Sequence, residues 1–124
     1  MSKIFIETTD FSKVRSSFLS DEDYEEFKKK LADRPEWGDV MPGCGGLRKL
    51  RIADPKRGKG KRGGARLIYL HIPQIEHFLL LEIYGKNEKE DLSNYDKKTL
   101  KQLAQEFRQR IIRKITQLRR KDSP

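Results

Sequence analysis

The chain predicts an α+β fold: a small antiparallel sheet packed by two N-terminal helices and one long C-terminal helix. Three observations carry this expectation. Apolar residues recur at three- and four-residue spacing before residue 32 and again between Leu100 and Leu118. Between those regions, strand-length stretches alternate or run apolar. Glycine- and proline-rich segments separate the stretches. The order is β-α-α-β-β-β-α, and 124 residues suit one domain spanning 1–124 with one modest core.

Lys3-Ile4-Phe5-Ile6-Glu7-Thr8 reads as the first strand. Thr9 or Asp10 can cap a short helix through Phe11, Val14 and Phe18. Ser20-Asp21-Glu22-Asp23 fits a capping box for a second helix, with Tyr24, Phe27 and Leu31 on one face. Pro35 disfavours helix at Arg34 and ends it there. Residues 38–46 hold four glycines and Pro42 and read as a loop. Trp37, between Pro35 and Gly38, is expected to pin that loop to the core.

The segment from Leu47 to Ile52 alternates. Leu47, Lys49 and Arg51 share one face, and Arg48, Leu50 and Ile52 the other. With Leu50 and Ile52 turned to the core, Lys49 and Arg51 point together at solvent or ligand. Residues 56–64 hold four glycines and five cations and form a hairpin tip too glycine-rich to be a packed strand. Ala65–Ile72 and His77–Tyr84 read as strands joined around Pro73-Gln74. Alternation sets Tyr69 on the face opposite Arg66. The run Phe78–Leu81 is apolar on both faces, as a central strand is. Ser93-Asn94-Tyr95-Asp96 is another capping box, opening a long helix with an apolar stripe from Leu100 to Leu118. Residues 111–124 form a basic tail longer than the domain needs and are expected to fray.

Charge is the strongest functional signal. The net charge is +9, and the excess is concentrated. Residues 47–66 carry nine cations and one acid, and residues 97–121 carry ten cations and one acid, Glu106. Residues 1–46 and 67–96 are net acidic. Such asymmetry points to a polyanionic partner bound in a salt-sensitive way. The single cysteine, Cys44, excludes an intramolecular disulfide and lies in a glycine turn without the neighbours a catalytic thiol needs. No zinc-ligand spacing occurs, and nothing calls for a cofactor. No run reaches the ~20 apolar residues of a membrane span, and the first residues lack a signal-peptide pattern. A cytoplasmic protein is expected. His71 and His77 lie on strands and read as structural or solvated.

Three sequence blocks give the basic strands a family context. They are Gly45-Gly46-Leu47-Arg48-Lys49-Leu50-Arg51, then Gly58 to Tyr69, then Ile83-Tyr84-Gly85-Lys86-Asn87-Glu88 with Asp91-Leu92 beyond. In this order they resemble the RelE/ParE toxin superfamily, and most closely its HigB-like branch. The resemblance covers nearly the whole chain. It implies the toxin of a bacterial type II toxin–antitoxin pair: an endoribonuclease that cleaves mRNA, typically on the ribosome. It also implies an antitoxin partner, in the HigB-like branch one with a helix-turn-helix DNA-binding domain.

The resemblance assigns roles. Lys49 and Arg51 are expected as phosphate binders or proton-transfer groups and Arg66 as a transition-state clamp. RelE-type sequences carry an arginine after the glycine–lysine pair, where this chain has Asn87. Lys86 is therefore the fourth catalytic candidate, with Tyr84, Asn87 and Glu88 as auxiliaries and Tyr95 as a further candidate substitute. Arg48, Lys56, Arg57, Lys59, Lys61 and Arg62 are expected to contact mRNA or rRNA backbone. Two other readings stay open at this level: a ParE-like inhibitor of DNA gyrase, and a nucleic-acid-binding module without catalysis.

Overall fold

A computed structural model describes residues 3–53, 64–86 and 91–121. The elements are β1 (Ile4–Glu7), α1 (Thr9–Phe18), α2 (Asp21–Asp33), β2 (Asp39–Val40), β3 (Arg48–Ile52), β4 (Ala65–Ile72), β5 (His77–Gly85) and α3 (Asn94–Lys121). The strands form one five-stranded sheet in the order β1-β5-β4-β3-β2.

The fold is α+β with the expected order of elements, but the sheet is mixed. β1 runs parallel to β5, pairing Ile4 with His77 and Glu7 with Leu80. The other neighbouring pairs are antiparallel. The parallel edge follows from connectivity. After β1 the chain crosses one face through α1 and α2 and builds the other strands before β5 returns beside it. A further difference is β2, two residues inside the segment expected to be loop, pairing Asp39 with Lys49 and Val40 with Arg48.

Helix ends follow local chemistry. α1 is capped by Thr8 rather than by Thr9 or Asp10; its hydroxyl accepts from the Phe11 amide at 3.1 Å. The same hydroxyl donates to the Leu81 carbonyl at 2.7 Å, so the cap also fastens α1 to β5. Ser20 caps α2 through the Asp23 amide, and Arg34 ends it one residue before Pro35. Ser93 and Asp96 form the reciprocal capping box of α3: Ser93 Oγ accepts from the Asp96 amide at 3.0 Å, and Asp96 Oδ2 from the Ser93 amide at 3.3 Å. Residues 111–121 continue α3 as helix.

Each face of the sheet carries a core cluster. Phe11, Phe18, Tyr24, Phe27 and Leu31 of the first two helices pack on Leu50, Leu67, Tyr69, Phe78 and Leu80. Trp37 packs against this cluster, its ring 6.0 Å from that of Phe27. Leu92, Leu100 and Ala104 pack on Leu47, Ile68, Leu70, Leu79 and Leu81 across the other face. Each such buried side chain contributes about 1.5–3 kcal/mol. The sheet is therefore the middle layer, with α1 and α2 on one side and α3 on the other.

Two details shape the α3 face. Ile68 pairs with Glu82, but Tyr69 pairs with Leu80, so Leu81 is a bulge residue. The bulge re-phases β5 and puts Glu82 and Tyr84 on the α3 side. The turn before β3 has Gly45 and Gly46 at φ 67 and 94. Arg108 of α3 reaches into it, donating to the Gly45 carbonyl at 3.1 Å. A Cβ at Gly46 would stand 3.1 Å from the Arg108 guanidinium, so glycine admits this contact as well as the backbone angle.

Candidate active site

β3, β4 and β5 lay three side chains in a row. Arg51 pairs with Arg66, and Arg66 pairs with Tyr84. Alternation sets all three on the α3 face, with Arg66 in phase with Ile68 and Leu70. Residues directly opposite have Cβ atoms roughly 4.5–5.5 Å apart, so the row is a continuous strip. Lys49 lies two residues before Arg51 on the same face. Thus Lys49, Arg51 and Arg66 are brought together as expected.

The three cations differ in setting. Arg66 is buried, only 7% exposed, and donates to the Ala65 carbonyl at 3.2 Å. Arg51 is exposed and Lys49 half-buried. Lys49 Nζ is 3.3 Å from Asp91 Oδ1, and Lys97 Nζ is 3.1 Å from Asp91 Oδ2. Asp91 also accepts from the Leu92 amide at 2.8 Å. Burial pushes the Asp91 carboxyl up, but the Leu92 hydrogen bond and the Lys97 and Lys49 ammonium groups together hold it below its ordinary value. Asp91 therefore ties the segment leading into α3 to β3 of the sheet.

Tyr84 is the buried end of this strip. Its phenol is pushed up to about 12, first by burial and then by the charges of Asp91 and Glu82, with Arg66 opposing. It keeps its proton throughout the neutral range and can donate it. Lys86 is exposed just past β5, and its amide donates to the Gly64 carbonyl at 3.0 Å. That bond sets its backbone beside the start of β4, at the Tyr84 end of the strip.

Arg48 is placed elsewhere. It pairs with Tyr69, on the face of α1 and α2, and donates to the Gly38 carbonyl at 2.7 Å and the Glu36 carbonyl at 3.4 Å. Its guanidinium secures the loop before β2. The expected contacts Lys56, Arg57, Lys59, Lys61 and Arg62, and the auxiliaries Asn87 and Glu88, lie outside the described residues. His71 stacks on Phe78 at 4.5 Å on the opposite face. Burial lowers its pKa, aided by Lys3 and Arg48. His77 Nδ1 meets the Ile75 carbonyl at 2.7 Å. Neither histidine joins the strip. Cys44 is buried. Among the described residues no group of three His, Cys, Asp or Glu side chains is placed to hold a metal ion.

The model of the RelE toxin of the RelE/RelB toxin–antitoxin system matches residues 3–123. The chain belongs to the RelE toxin family. A member of this family has an antitoxin as its partner. Among solved structures, the isolated E. coli RelE toxin is similar, at 18% identity, with 82% of this chain and 99% of that chain covered and a TM-score of 0.45. No helix among the described residues of this RelE-family chain is long and apolar enough to cross a membrane.

Asp91, Glu82 and Lys97 were not among the residues singled out from the sequence for the site of this RelE-family protein. Glu82 reaches the face through a bulge, which an unbroken alternation does not foretell. Asp91 meets Lys49 across 42 positions of chain. The local signals were the place of Asp91-Leu92 at the end of the third motif block and the capping box at Ser93, which fixes where α3 begins; neither assigns Asp91 a partner.

Proposed function

We propose that this toxin is an endoribonuclease that cleaves mRNA on the ribosome, without a metal ion, and so arrests translation in the cytoplasm. The observation that carries the reading is the Arg51–Arg66–Tyr84 row with Lys49 beside it on one sheet face. Cleavage by the ribose 2′-oxygen needs three provisions: a base for the 2′-hydroxyl, positive charge for the crowded phosphate, and an acid for the departing 5′-oxygen.

The guanidinium of Arg66, fixed by burial, holds two phosphate oxygens with its planar fork. Arg51 and Lys49 add charge from the neighbouring strand, and Lys86 approaches from the end of the strip. Asp91, beside Lys49, is the carboxylate we assign to receive the 2′-hydroxyl proton. The 2′-oxygen then bonds to phosphorus as the bond to the 5′-oxygen breaks. Tyr84, protonated at neutral pH, supplies the proton that the 5′-oxygen takes up. The products are a cyclic 2′,3′-phosphate and a 5′-hydroxyl. The partner antitoxin, on the HigB-like character of the three motif blocks, carries a helix-turn-helix domain.

Induction of the chain in a bacterial host, followed by mapping of mRNA ends, tests the reading. New ends within coding regions are expected. Arg66→Ala and Arg66→Lys both remove them, because an ammonium cannot replace the two-pronged contact; loss of such a contact costs about 10²–10³ in rate. Growth arrest with intact mRNA and inhibited supercoiling would instead establish gyrase as the target and defeat the nuclease reading.

A further inference from the structure

The start of α3 presents a feature that the cation strip does not use. Tyr95 is 78% exposed, the most exposed large apolar side chain among the described residues. Its neighbours Ser93 and Asp96 cap the helix, so the ring is needed neither for the cap nor for the core. An aromatic ring standing in water is a ready face for another flat group.

Around it lies a cleft of about 540 Å³ between the first turns of α3 and the turn at Pro42–Cys44. Lys97, Lys98 and Lys101 line it. Gly43, at φ 69, forms its outer rim, and nothing stands within 4 Å of where a side chain there would begin. A second, smaller cleft adjoins it, lined by Lys49, Asp91, Val40 and Asp39. The two share Pro42, Cys44 and Lys97. One groove thus runs from Lys49 past Lys97 to Lys98, Lys101 and Tyr95. Among the described residues, four ammonium groups line it against two carboxylates, Asp39 and Asp91. Alternating ammonium groups with an exposed ring is the chemistry that holds single-stranded nucleic acid: phosphates on the cations, a base on the ring.

We infer that this groove is an additional subsite for single-stranded RNA, in which Tyr95 stacks a base and Lys98 and Lys101 hold the phosphates of nucleotides flanking the one at Lys49. The inference rests on the endoribonuclease reading, because that reading puts an RNA phosphate at Lys49. Lys97 is the junction: its ammonium is shared between Asp91 and the groove. Stacking tolerates any base, so the subsite adds affinity and fixes the direction of the strand with little sequence preference.

Binding of non-cleavable 2′-O-methyl RNA of mixed sequence, three and six nucleotides long, to the full chain tests this. Wild type is expected to hold the longer probe about tenfold more tightly, the scale of one stacked base. Tyr95→Ala reduces that difference several-fold and leaves the short probe unaffected, whereas Tyr95→Phe preserves it. Lys98→Ala with Lys101→Ala weakens the longer probe and flattens its salt dependence. Equal affinity of wild type and Tyr95→Ala for the longer probe overturns the subsite while leaving mRNA cleavage, read separately from mapped ends, untouched. Loss of antitoxin binding in Tyr95→Ala with unchanged RNA affinity also overturns it, by assigning the groove to an acidic protein segment.

Discussion

Arg66 lies directly opposite Arg51 in the pairing of β3 with β4, so two guanidinium side chains leave one face of the sheet from neighbouring positions. Like charges placed opposite each other destabilise a sheet by about 0.2–1 kcal/mol. The arrangement gains its worth when a polyanion lies across both. Arg51→Gln is therefore expected to raise unfolding free energy by a few tenths to about 1 kcal/mol while lowering cleavage activity. Urea denaturation beside an mRNA-end assay checks both directions. A variant that is less stable than wild type would remove the premise that Arg51 is retained for binding.

Much of this strip was legible because β3 and β4 obey strict alternation. Leu50 and Ile52 had to face the core, which fixed Lys49 and Arg51 on the other side, and hairpin pairing carried Arg66 to them. The helices were legible for the same local reason: capping residues at Ser20 and Ser93, and Pro35 after α2. What escaped was non-local. The parallel pairing of β1 with β5 depends on which edge the chain returns to, and no residue pattern in Ile4–Glu7 states a direction. The bulge at Leu81 leaves no mark in the apolar run of β5; its carbonyl is the one that accepts from the Thr8 hydroxyl, a contact 73 positions away in sequence. Arg48 was grouped with the other cations by charge alone. Its side of the strand turns it instead to the carbonyls of Glu36 and Gly38.

Asp91 gives the site a pH signature. Its carboxyl is held below its ordinary value of 3.8 in the folded chain. A depressed carboxyl contributes stability that is complete above its unfolded value and disappears as pH falls through its folded value. Asp91→Asn should thus be slightly less stable than wild type at neutral pH, and the two should converge only as pH falls through the folded value, which lies below 3.8. The Lys49 and Asp91 side chains are 33% and 50% exposed, so solvent screening limits the difference to at most about 1 kcal/mol. Cleavage should fall much further than stability, since the same carboxylate is assigned the 2′-hydroxyl proton. Thermal melts across pH with parallel rates separate the two effects. Unchanged cleavage in Asp91→Asn would reassign the base.

The opposite face offers a stability test independent of catalysis. Tyr69 is fully buried, accepts from the Gly38 amide at 2.9 Å and donates to the Pro35 carbonyl at 2.8 Å. Tyr69→Phe leaves the buried Gly38 N–H without its acceptor and should cost about 1–3 kcal/mol. Gly38→Ala should also destabilise, because its Cβ would fall 2.9 Å from the Tyr69 ring and 3.1 Å from the Lys49 carbonyl. The Lys49 contact is backbone and cannot swing aside. Denaturant titration of both variants checks this. A loss under about 0.5 kcal/mol in Tyr69→Phe would mean that water replaces the lost partner.

Lys49 and Arg48 are adjacent in sequence yet belong to opposite faces, which makes them a matched pair for separating charge from position. If RNA is bound by overall charge, removing either cation weakens it equally. If it is bound along the α3 face, only Lys49 counts. Each lost phosphate contact on a single strand reduces the slope of log affinity against log salt by about 0.7. Lys49→Ala should show that reduction, whereas Arg48→Ala should keep the wild-type slope. Arg48→Ala should instead lose stability, because the Gly38 and Glu36 carbonyls forfeit their donor. Affinities measured from low to moderate salt, with melting temperatures for both variants, complete the comparison. Equal slopes in the two variants would show that binding reads net charge and that the face carrying Lys49, Arg51 and Arg66 has no privileged part in it.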